Sequence, residues 1–169
     1  IVSGSADLAE IRLARAGTFL AVAARVYDGK VTRDKTVWKG SCLEIFGSLP
    51  NELKIGQVFL APQVDTLPAQ AWRPKGDRQE PAPEILVISQ PMKDGYELQA
   101  LIPFAALALD PGKNDVLLEA QVSVSGKKNR KEIGTLFGSL RAYENNGKYG
   151  WFTSAVEDKT EKEITDELK

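Results

Sequence analysis

The sequence predicts an all-β protein, a β-sandwich of jelly-roll type. Short segments in which apolar and polar residues alternate recur along the chain, for example at 18–28 and 116–124. This alternation is the period of a strand with one buried face. Turn-forming residues separate the segments, and no segment has a sustained helical period. About eight or nine short strands joined by regular turns are typical of a sandwich.

The predicted strands follow one another with little else between them. We predict strands at residues 8–15, 18–28, 42–46, 55–61, 84–89, 96–102, 116–124, 133–143 and 149–154. The first two should form a hairpin, because the turn Ala16-Gly17 joins them. Residues 104–109 should form no more than one helical turn after Pro103, which ends the strand before it.

Two segments depart from this pattern. Residues 62–83 contain five prolines and little periodicity, so we predict a long Pro-rich loop, either an excursion from the sheet or a binding loop. Residues 156–169 are charged and predict a tail, as a loose helix or a disordered segment. The folded domain should therefore span residues 1–155.

The charge balance argues against nucleic acid or an anionic membrane surface as a partner. With 22 basic and 23 acidic residues the net charge is -1, so no overall field attracts a polyanion. The basic cluster at 127–131 has no aromatic residues nearby for base stacking and is interpreted as a solvated hairpin tip. No apolar run approaches the ~18 residues that a membrane span needs.

The chain contains no histidine and a single cysteine, Cys42. The missing histidine removes the commonest general base and the usual zinc or haem ligand, and one cysteine cannot form an internal disulfide. An enzyme would have to use carboxylates, lysine or tyrosine. The sequence starts at Ile1 without Met or a leader, so we expect a processed product or a piece of a longer protein.

The segment 38–46 has a composition that suits a sugar. It opens with Trp38 and runs into a strand in which Glu44 points away from Leu43 and Ile45. Sugar C–H faces stack on aromatic rings, and sugar hydroxyls form hydrogen bonds with charged groups. The alternative is that Trp38 packs under a loop and Glu44 lies on a solvated face.

Four segments, taken together and in order, resemble the family 9 carbohydrate-binding modules. The wider group includes the dopamine-monooxygenase-type N-terminal domains. The segments are residues 10–28, 38–46, 95–109 and 143–150, and their order and spacing resemble those of the family from about residue 7 to residue 153. The family usually has one more strand before the first hairpin, and residues 1–6 are its expected remnant.

The resemblance implies a sugar site between two aromatic side chains. It places Trp38 on the first aromatic, Tyr143 on the second and Glu44 on a carboxylate that binds hydroxyls. Phe59 stands where the family has an arginine, and Ser41 and Ser123-Val124 replace other polar residues of the family. Candidate replacements and extensions of the cleft are Arg73, Arg141 and Trp72. The family's structural calcium would find its ligands among Asp28, Asp34 and Glu44.

These residues predict a non-catalytic carbohydrate-binding module within a larger secreted, glycan-active enzyme. Its partners would be a poly- or oligosaccharide and neighbouring domains, and its location extracellular or periplasmic. Three alternatives stay open: a structural or docking sandwich that binds no sugar, a haem-binding domain, and a hydrolase with paired carboxylates. Haem would need Met92 with Lys93 or Lys127, and the hydrolase would use Glu44 and Glu119.

Overall fold

The chain is almost entirely β-strand. The structure, a computed structural model, describes residues 2–3, 6–125, 132–139 and 141–154. In chain order the strands are β1 (Val2–Ser3), β2 (Ala6–Asp7), β3 (Ala9–Ala16), β4 (Phe19–Tyr27), β5 (Cys42–Ser48), β6 (Gly56–Ala61), β7 (Gln70–Lys75), β8 (Arg78–Pro81), β9 (Leu86–Met92), β10 (Gly95–Pro103), β11 (Asp115–Val124), β12 (Glu132–Thr135) and β13 (Gly150–Thr153). Within these described ranges the helical elements are two short 3-10 helices, Val37–Lys39 and Phe104–Leu107. No helix there is long and apolar enough to span a membrane.

The strands form two antiparallel sheets that pack face to face. The larger sheet has nine strands in the order β2-β1-β12-β11-β5-β6-β7-β8, with β13 also beside β11. The smaller sheet has four strands in the order β3-β4-β10-β9. The predicted all-β sandwich, the β3–β4 hairpin and the single helical turn after Pro103 are thereby confirmed.

The inner faces of the two sheets form one hydrophobic core, which fixes the faces of β5. Leu43 and Ile45 of β5 are fully buried in this core together with Val22 and Val26 of β4. Burying each such side chain contributes about 1.5–3 kcal/mol. A shift of one residue in the pairing register of β5 would move its core side chains to the outer face and its outer side chains into the core. The core therefore holds Glu44 on the outer face of the larger sheet.

The long Pro-rich loop predicted for residues 62–83 is wrong for much of its length. Residues 62–69 form a loop, but β7 and β8 follow as a hairpin that extends the larger sheet. The pairing of β7 with β6 ends at Trp72, so Pro74 lies where β7 has a neighbour on one side only. Proline is tolerated in such edge positions. The prolines interrupted the alternation that marks the other strands.

The strand predicted for residues 133–143 is also too long, since β12 ends at Thr135. Beyond it the N–H groups of Phe137 and Ser139 donate to the carboxylate of Glu119 and not to a neighbouring strand. The hydrogen-bonded pairing of β12 with β11 therefore ends where these N–H groups bind a side-chain carboxylate. The predicted tail, the basic cluster at 127–131 and the domain boundary at 155 lie outside the described residues.

The turn between β9 and β10 requires glycine at position 95. Gly95 has a φ of +150°, and a Cβ built there would lie 1.9 Å from the carbonyl oxygen of Val26 on β4. The close approach lets β4 and β10 pair along their whole length, from Gly95 with Tyr27 to Pro103 with Phe19.

We expect Gly95→Ala to lower the free energy of unfolding by about 3 kcal/mol, because β4 and β10 must separate to admit the methyl group. Urea denaturation measures the change. The matched control is Gly17→Ala, where φ is +61° and no atom lies within 4 Å of the new Cβ, so that only the left-handed backbone costs about 1–2 kcal/mol. Equal losses in the two variants would contradict the steric explanation.

Candidate functional site

One cross-strand row on the outer face of the larger sheet brings aromatic, acidic and amide side chains together. The row consists of Trp72, Phe59, Glu44, Gln121 and Thr135, on β7, β6, β5, β11 and β12. Directly opposite residues of antiparallel strands lie on the same face, with Cβ atoms about 5 Å apart. Because Glu44 is on the outer face, the whole row is on the outer face.

Glu44 occupies the middle of the row and is only 4% exposed. Gln57 Nε2 donates to its Oε2 at 2.9 Å, and Gln121 Nε2 donates to its Oε1 at 3.2 Å. A buried carboxylate requires such donors. Two amide side chains from neighbouring strands therefore fix the direction of both carboxylate oxygens.

Three buried polar atoms of this face have no hydrogen-bond partner within the part of the chain that the structure describes. They are Gln121 Oε1, Ser123 Oγ and Trp72 Nε1. Ser123 follows Gln121 on the same face of β11, opposite Cys42. An unsatisfied buried donor or acceptor costs about 1–3 kcal/mol. Of these atoms, Gln121 Oε1 and Ser123 Oγ lie beside Glu44, and Trp72 Nε1 lies at the end of its row.

Trp38 lies over this face at Phe59. The two ring centroids are 5.3 Å apart and the ring planes are tilted by 31°, within the range of favourable aromatic pairs. Trp38 and Trp72 both pack, partly buried, against the apolar cluster that contains Phe59 and Cys42. The row thus begins in an aromatic platform and continues into the carboxylate and the amides.

The 3-10 helix that carries Trp38 is fastened to the edge strand β8. Gln79 of β8 accepts a hydrogen bond from Val37 N–H and donates one to the carbonyl of Lys35, both at 2.9 Å. Arg33 donates to two carbonyls of the β6–β7 loop at 2.8 and 2.9 Å, and its partial burial lowers its pKa. The tryptophan is therefore held in place before any ligand arrives.

Asp28 anchors both ends of the loop that carries Trp38. Its buried carboxylate accepts hydrogen bonds from the N–H groups of Lys30 and Ser125, both at 3.1 Å, and from the hydroxyl of Ser41. Ser41 Oγ in turn accepts from Thr32 N–H at 2.8 Å. One carboxylate thereby joins the end of β4, the start of β5 and the end of β11.

The structure does not assemble the predicted calcium ligands into one cluster. Asp28 directs its oxygens at N–H and O–H donors, whereas exposed Asp34 accepts from Thr36 N–H at 2.8 Å in its own turn. Glu44 lies in the outer-face row. Among the residues that the structure describes, no group of three or more His, Cys, Asp or Glu side chains is placed to hold a metal ion.

Tyr143 lies in the turn 141–144 and is 54% exposed. Its neighbour Ala142 is buried against Phe46, which follows Glu44 on the same face of β5. Trp38 packs with the cluster at the Cys42 end of β5. Trp38 and the turn that carries Tyr143 therefore lie near opposite ends of β5, with Glu44 between these ends.

The loop that carries Tyr143 is tied to the sheet at its far end. Tyr149 donates its hydroxyl hydrogen to the carbonyl of Ala142, and burial raises the pKa of this tyrosine. Asn146 Nδ2 donates to Ser48 Oγ at 2.8 Å and to the carbonyl of Glu52 at 2.7 Å. The position of the turn thus depends on contacts with the start and the middle of the β5–β6 connection.

Glu119 holds the near end of the same loop. It is fully buried on β11, and it accepts hydrogen bonds from the N–H groups of Ala120, Leu136, Phe137 and Ser139 at distances of 2.9–3.2 Å. A carboxylate occupied by backbone donors is not available for proton transfer. The alternative of a hydrolase with Glu44 and Glu119 therefore lacks a free second carboxylate.

Neither candidate arginine contacts the row within the described residues. Arg73 points to the opposite face of β7, where Nε and Nη1 lie 2.9 Å from Glu80 and Glu84, and these carboxylates raise its pKa. Arg141 is exposed and lies 3.2 Å from Glu144. Gln57 and Gln121 supply the hydrogen-bond donors beside Glu44 instead.

The ligands of the haem alternative lie in a hairpin turn. Met92 is the last residue of β9 and pairs with Gly95 across the turn that contains exposed Lys93. Lys127 lies outside the described residues. No feature of the described turn favours haem.

Gln57 and Gln121 are candidate site residues that sequence reasoning missed. Each is a polar residue on the outer side of an alternating strand, which is also the ordinary position of a solvated residue. Only the strand order β6-β5-β11 places the two glutamines on either side of Glu44. The sequence carries no local signal of that order.

Comparison with solved structures finds a similar fold in carbohydrate-binding modules. A family 9 carbohydrate-binding module from Caldicellulosiruptor kristjanssonii in complex with glucose matches this chain with a TM-score of 0.64 and 18% sequence identity. The match covers 90% of this chain and 80% of the module's chain. A family 9 module from the same organism in complex with cellotriose matches with a TM-score of 0.62 and 17% sequence identity. This match covers 86% of this chain and 73% of the module's chain. The chain has the fold of the family 9 carbohydrate-binding modules.

A third structure of similar fold comes from Bacteroides uniformis and is named a putative carbohydrate-binding protein. Its TM-score is 0.59 at 14% identity, and the match covers 86% of this chain and 77% of its own. No family model matches the sequence, and no curated protein matches it. The likeness to the family 9 modules is therefore one of fold.

In this family-9-like domain we expect Glu119→Gln to lower the free energy of unfolding by about 2–3 kcal/mol, because an amide nitrogen replaces one acceptor of backbone N–H groups. Urea denaturation gives the change, and hydrogen exchange at Phe137 and Ser139 should accelerate. The matched control is Glu144→Gln, which removes a surface ion pair and should have little effect. Unchanged exchange at both amides would show that Glu119 does not hold the loop.

Proposed function

We propose that the outer face of the larger sheet binds a sugar beside Glu44. The observation that carries this proposal is the row in which the Trp38–Phe59 ring pair, the Glu44 carboxylate and the unpartnered Gln121 Oε1 are neighbours. An apolar ring and two acceptors side by side match the C–H face and the hydroxyl edge of a sugar ring.

Each residue of the row would make a different kind of contact. Trp38 would stack on one face of the sugar, and Tyr143, which is exposed at the other end of β5, would close over the opposite face. Glu44 and Gln121 would accept hydroxyl hydrogen bonds, those to the carboxylate being the stronger because the acceptor is charged. Trp72 would extend the platform and could donate its free indole N–H.

The protein would act as a binding module and not as an enzyme. Glu44 is the acidic residue of the row, and the nearest acidic residue of β11, Glu119, is occupied by backbone N–H groups. The structural neighbours are carbohydrate-binding modules, two of them in complex with glucose or cellotriose. We propose that this domain likewise belongs to a larger secreted, glycan-active protein that works outside the cytoplasm.

Calorimetric titration with glucose, cellotriose and a panel of other mono- and oligosaccharides tests the site. We expect saturable binding to at least one sugar of the panel. Trp38→Ala should abolish this binding because the platform is lost, and Glu44→Gln should weaken it about tenfold or more because the acceptor loses its charge. Gln121→Leu should weaken it as well by removing the second acceptor.

The control is Trp151→Ala, which removes a tryptophan that is 61% exposed on β13, far along β11 from Gln121. This variant should keep the affinity of the unmodified protein. Tyr143→Ala tests the second half of the clamp separately, and unchanged affinity there would limit stacking to Trp38. If folded protein binds no sugar of the panel, or if Glu44→Gln binds as tightly as the parent, the proposed site is wrong.

A further inference from the structure

The outer face of the smaller sheet is unlike the outer face of the larger one. Leu86, Ile88 and Leu101 stand out from it with exposed fractions of 64%, 66% and 38%. Beside them lies a groove of about 610 Å³, lined by alanines of β3 and β4 together with Arg12 and Gln99. Contiguous exposed apolar area of this kind marks an interaction surface.

The strand register gives this face one cross-strand row that is small on one side and large on the other, and beside it a mixed row, Arg12, Ala23, Gln99, Ile88. The first row runs Ala14, Ala21, Leu101, Leu86, in the order β3-β4-β10-β9. The floor of the groove therefore covers β3 and β4, and the ridge covers β10 and β9. The boundary between groove and ridge runs parallel to the strands, between β4 and β10.

We infer that this face packs against the same face of a second copy of the chain, around a two-fold axis that runs along this boundary. Such an axis places β3 and β4 of one copy opposite β9 and β10 of the other. Ala14 then faces the partner's Leu86, and Ala21 faces the partner's Leu101. The ridge of each copy fills the groove of the other, as an isologous interface requires.

The charged end of the face has the same self-complementarity. The row nearest Tyr27 runs Glu10, Arg25, Glu97, Gln90, and the Arg25 guanidinium lies 2.7 Å from Glu97 within one copy. The two-fold axis sets Arg25 opposite the partner's Glu97, and Glu10 opposite the partner's Gln90. The charges of the two copies alternate in sign across the interface, so that they favour this register.

The face is large enough for a stable dimer. Four strands about 4.8 Å apart and seven to nine residues long cover roughly 530 Å² in projection. The accessible surface area is larger than this projected area because the side chains protrude from the sheet. It therefore approaches the roughly 800 Å² per partner that a standard interface buries. Aligned packing of two sheets about 10 Å apart is a usual arrangement.

Sedimentation equilibrium of the whole chain, from about 1 μM to about 1 mM, tests the inference. We expect a monomer–dimer equilibrium. Leu86→Lys should raise its dissociation constant about tenfold or more, since the symmetric interface contains the substitution twice. The matched control is Leu53→Lys, at a side chain that is 95% exposed in the β5–β6 connection, and it should leave the equilibrium unchanged. Thermal melts of all variants would confirm that they fold.

A cross-linking pair fixes the orientation. Arg12→Cys with Ile88→Cys places thiols on β3 and β9, which are about 14 Å apart within one copy but opposite each other between copies. A short bismaleimide linker should join the double variant into a covalent dimer and should leave each single variant monomeric. Native Cys42 is buried and does not react.

A monomer throughout the concentration range would overturn the inference, and the face would then fit a neighbouring domain. A dimer that Leu86→Lys and Leu53→Lys affect equally, or that the double-cysteine variant does not cross-link, would place the interface elsewhere and overturn it too. Sugar binding at the opposite sheet does not enter these readouts, so failure here leaves the proposed function untouched.

Discussion

The geometry of the outer face depends on two buried carboxylates that accept backbone N–H groups. The loops on either side of the face leave the β-ladder, and their N–H groups then need other acceptors because buried donors without partners are costly. Asp28 supplies them for the loop that carries Trp38, and Glu119 supplies them for the loop that leads to Tyr143. The two loops that carry Trp38 and Tyr143 are therefore held in position by buried carboxylates, which a ligand on the outer face would not contact.

Alternation in the sequence predicted most strands, because the period of two is a local consequence of one buried face. It also placed Glu44 correctly on the side of β5 opposite Leu43 and Ile45. It failed over residues 70–81, where prolines at the sheet edge interrupt the pattern of β7 and β8. It overextended β12, because the sequence does not show that Glu119 captures the N–H groups beyond Thr135.

The composition of the site was less predictable than the fold, because it depends on pairing between distant segments. Glu44 and Glu119 read alike in the sequence, each on the outer side of an alternating strand. In the structure one is bracketed by two glutamines beside unpartnered polar atoms, and the other is saturated by its own chain. That division of roles follows from the order β6-β5-β11 and from the path of one loop, neither of which has a local signal.

The attachment of the Trp38 loop to β8 has a consequence for the dynamics of the sheet edge. The β7–β8 hairpin pairs with the rest of the sheet through only three residues of β6, and edge segments with few contacts open locally more often than the core. Each opening of β8 would release the two hydrogen bonds of Gln79 and loosen the Trp38 loop at this point, while Asp28 still joins the ends of the loop. A ligand that needs Trp38 in place binds only the closed form, and by linkage it slows hydrogen exchange throughout the hairpin. Closure of the edge hairpin would then set the fraction of molecules that can bind such a ligand.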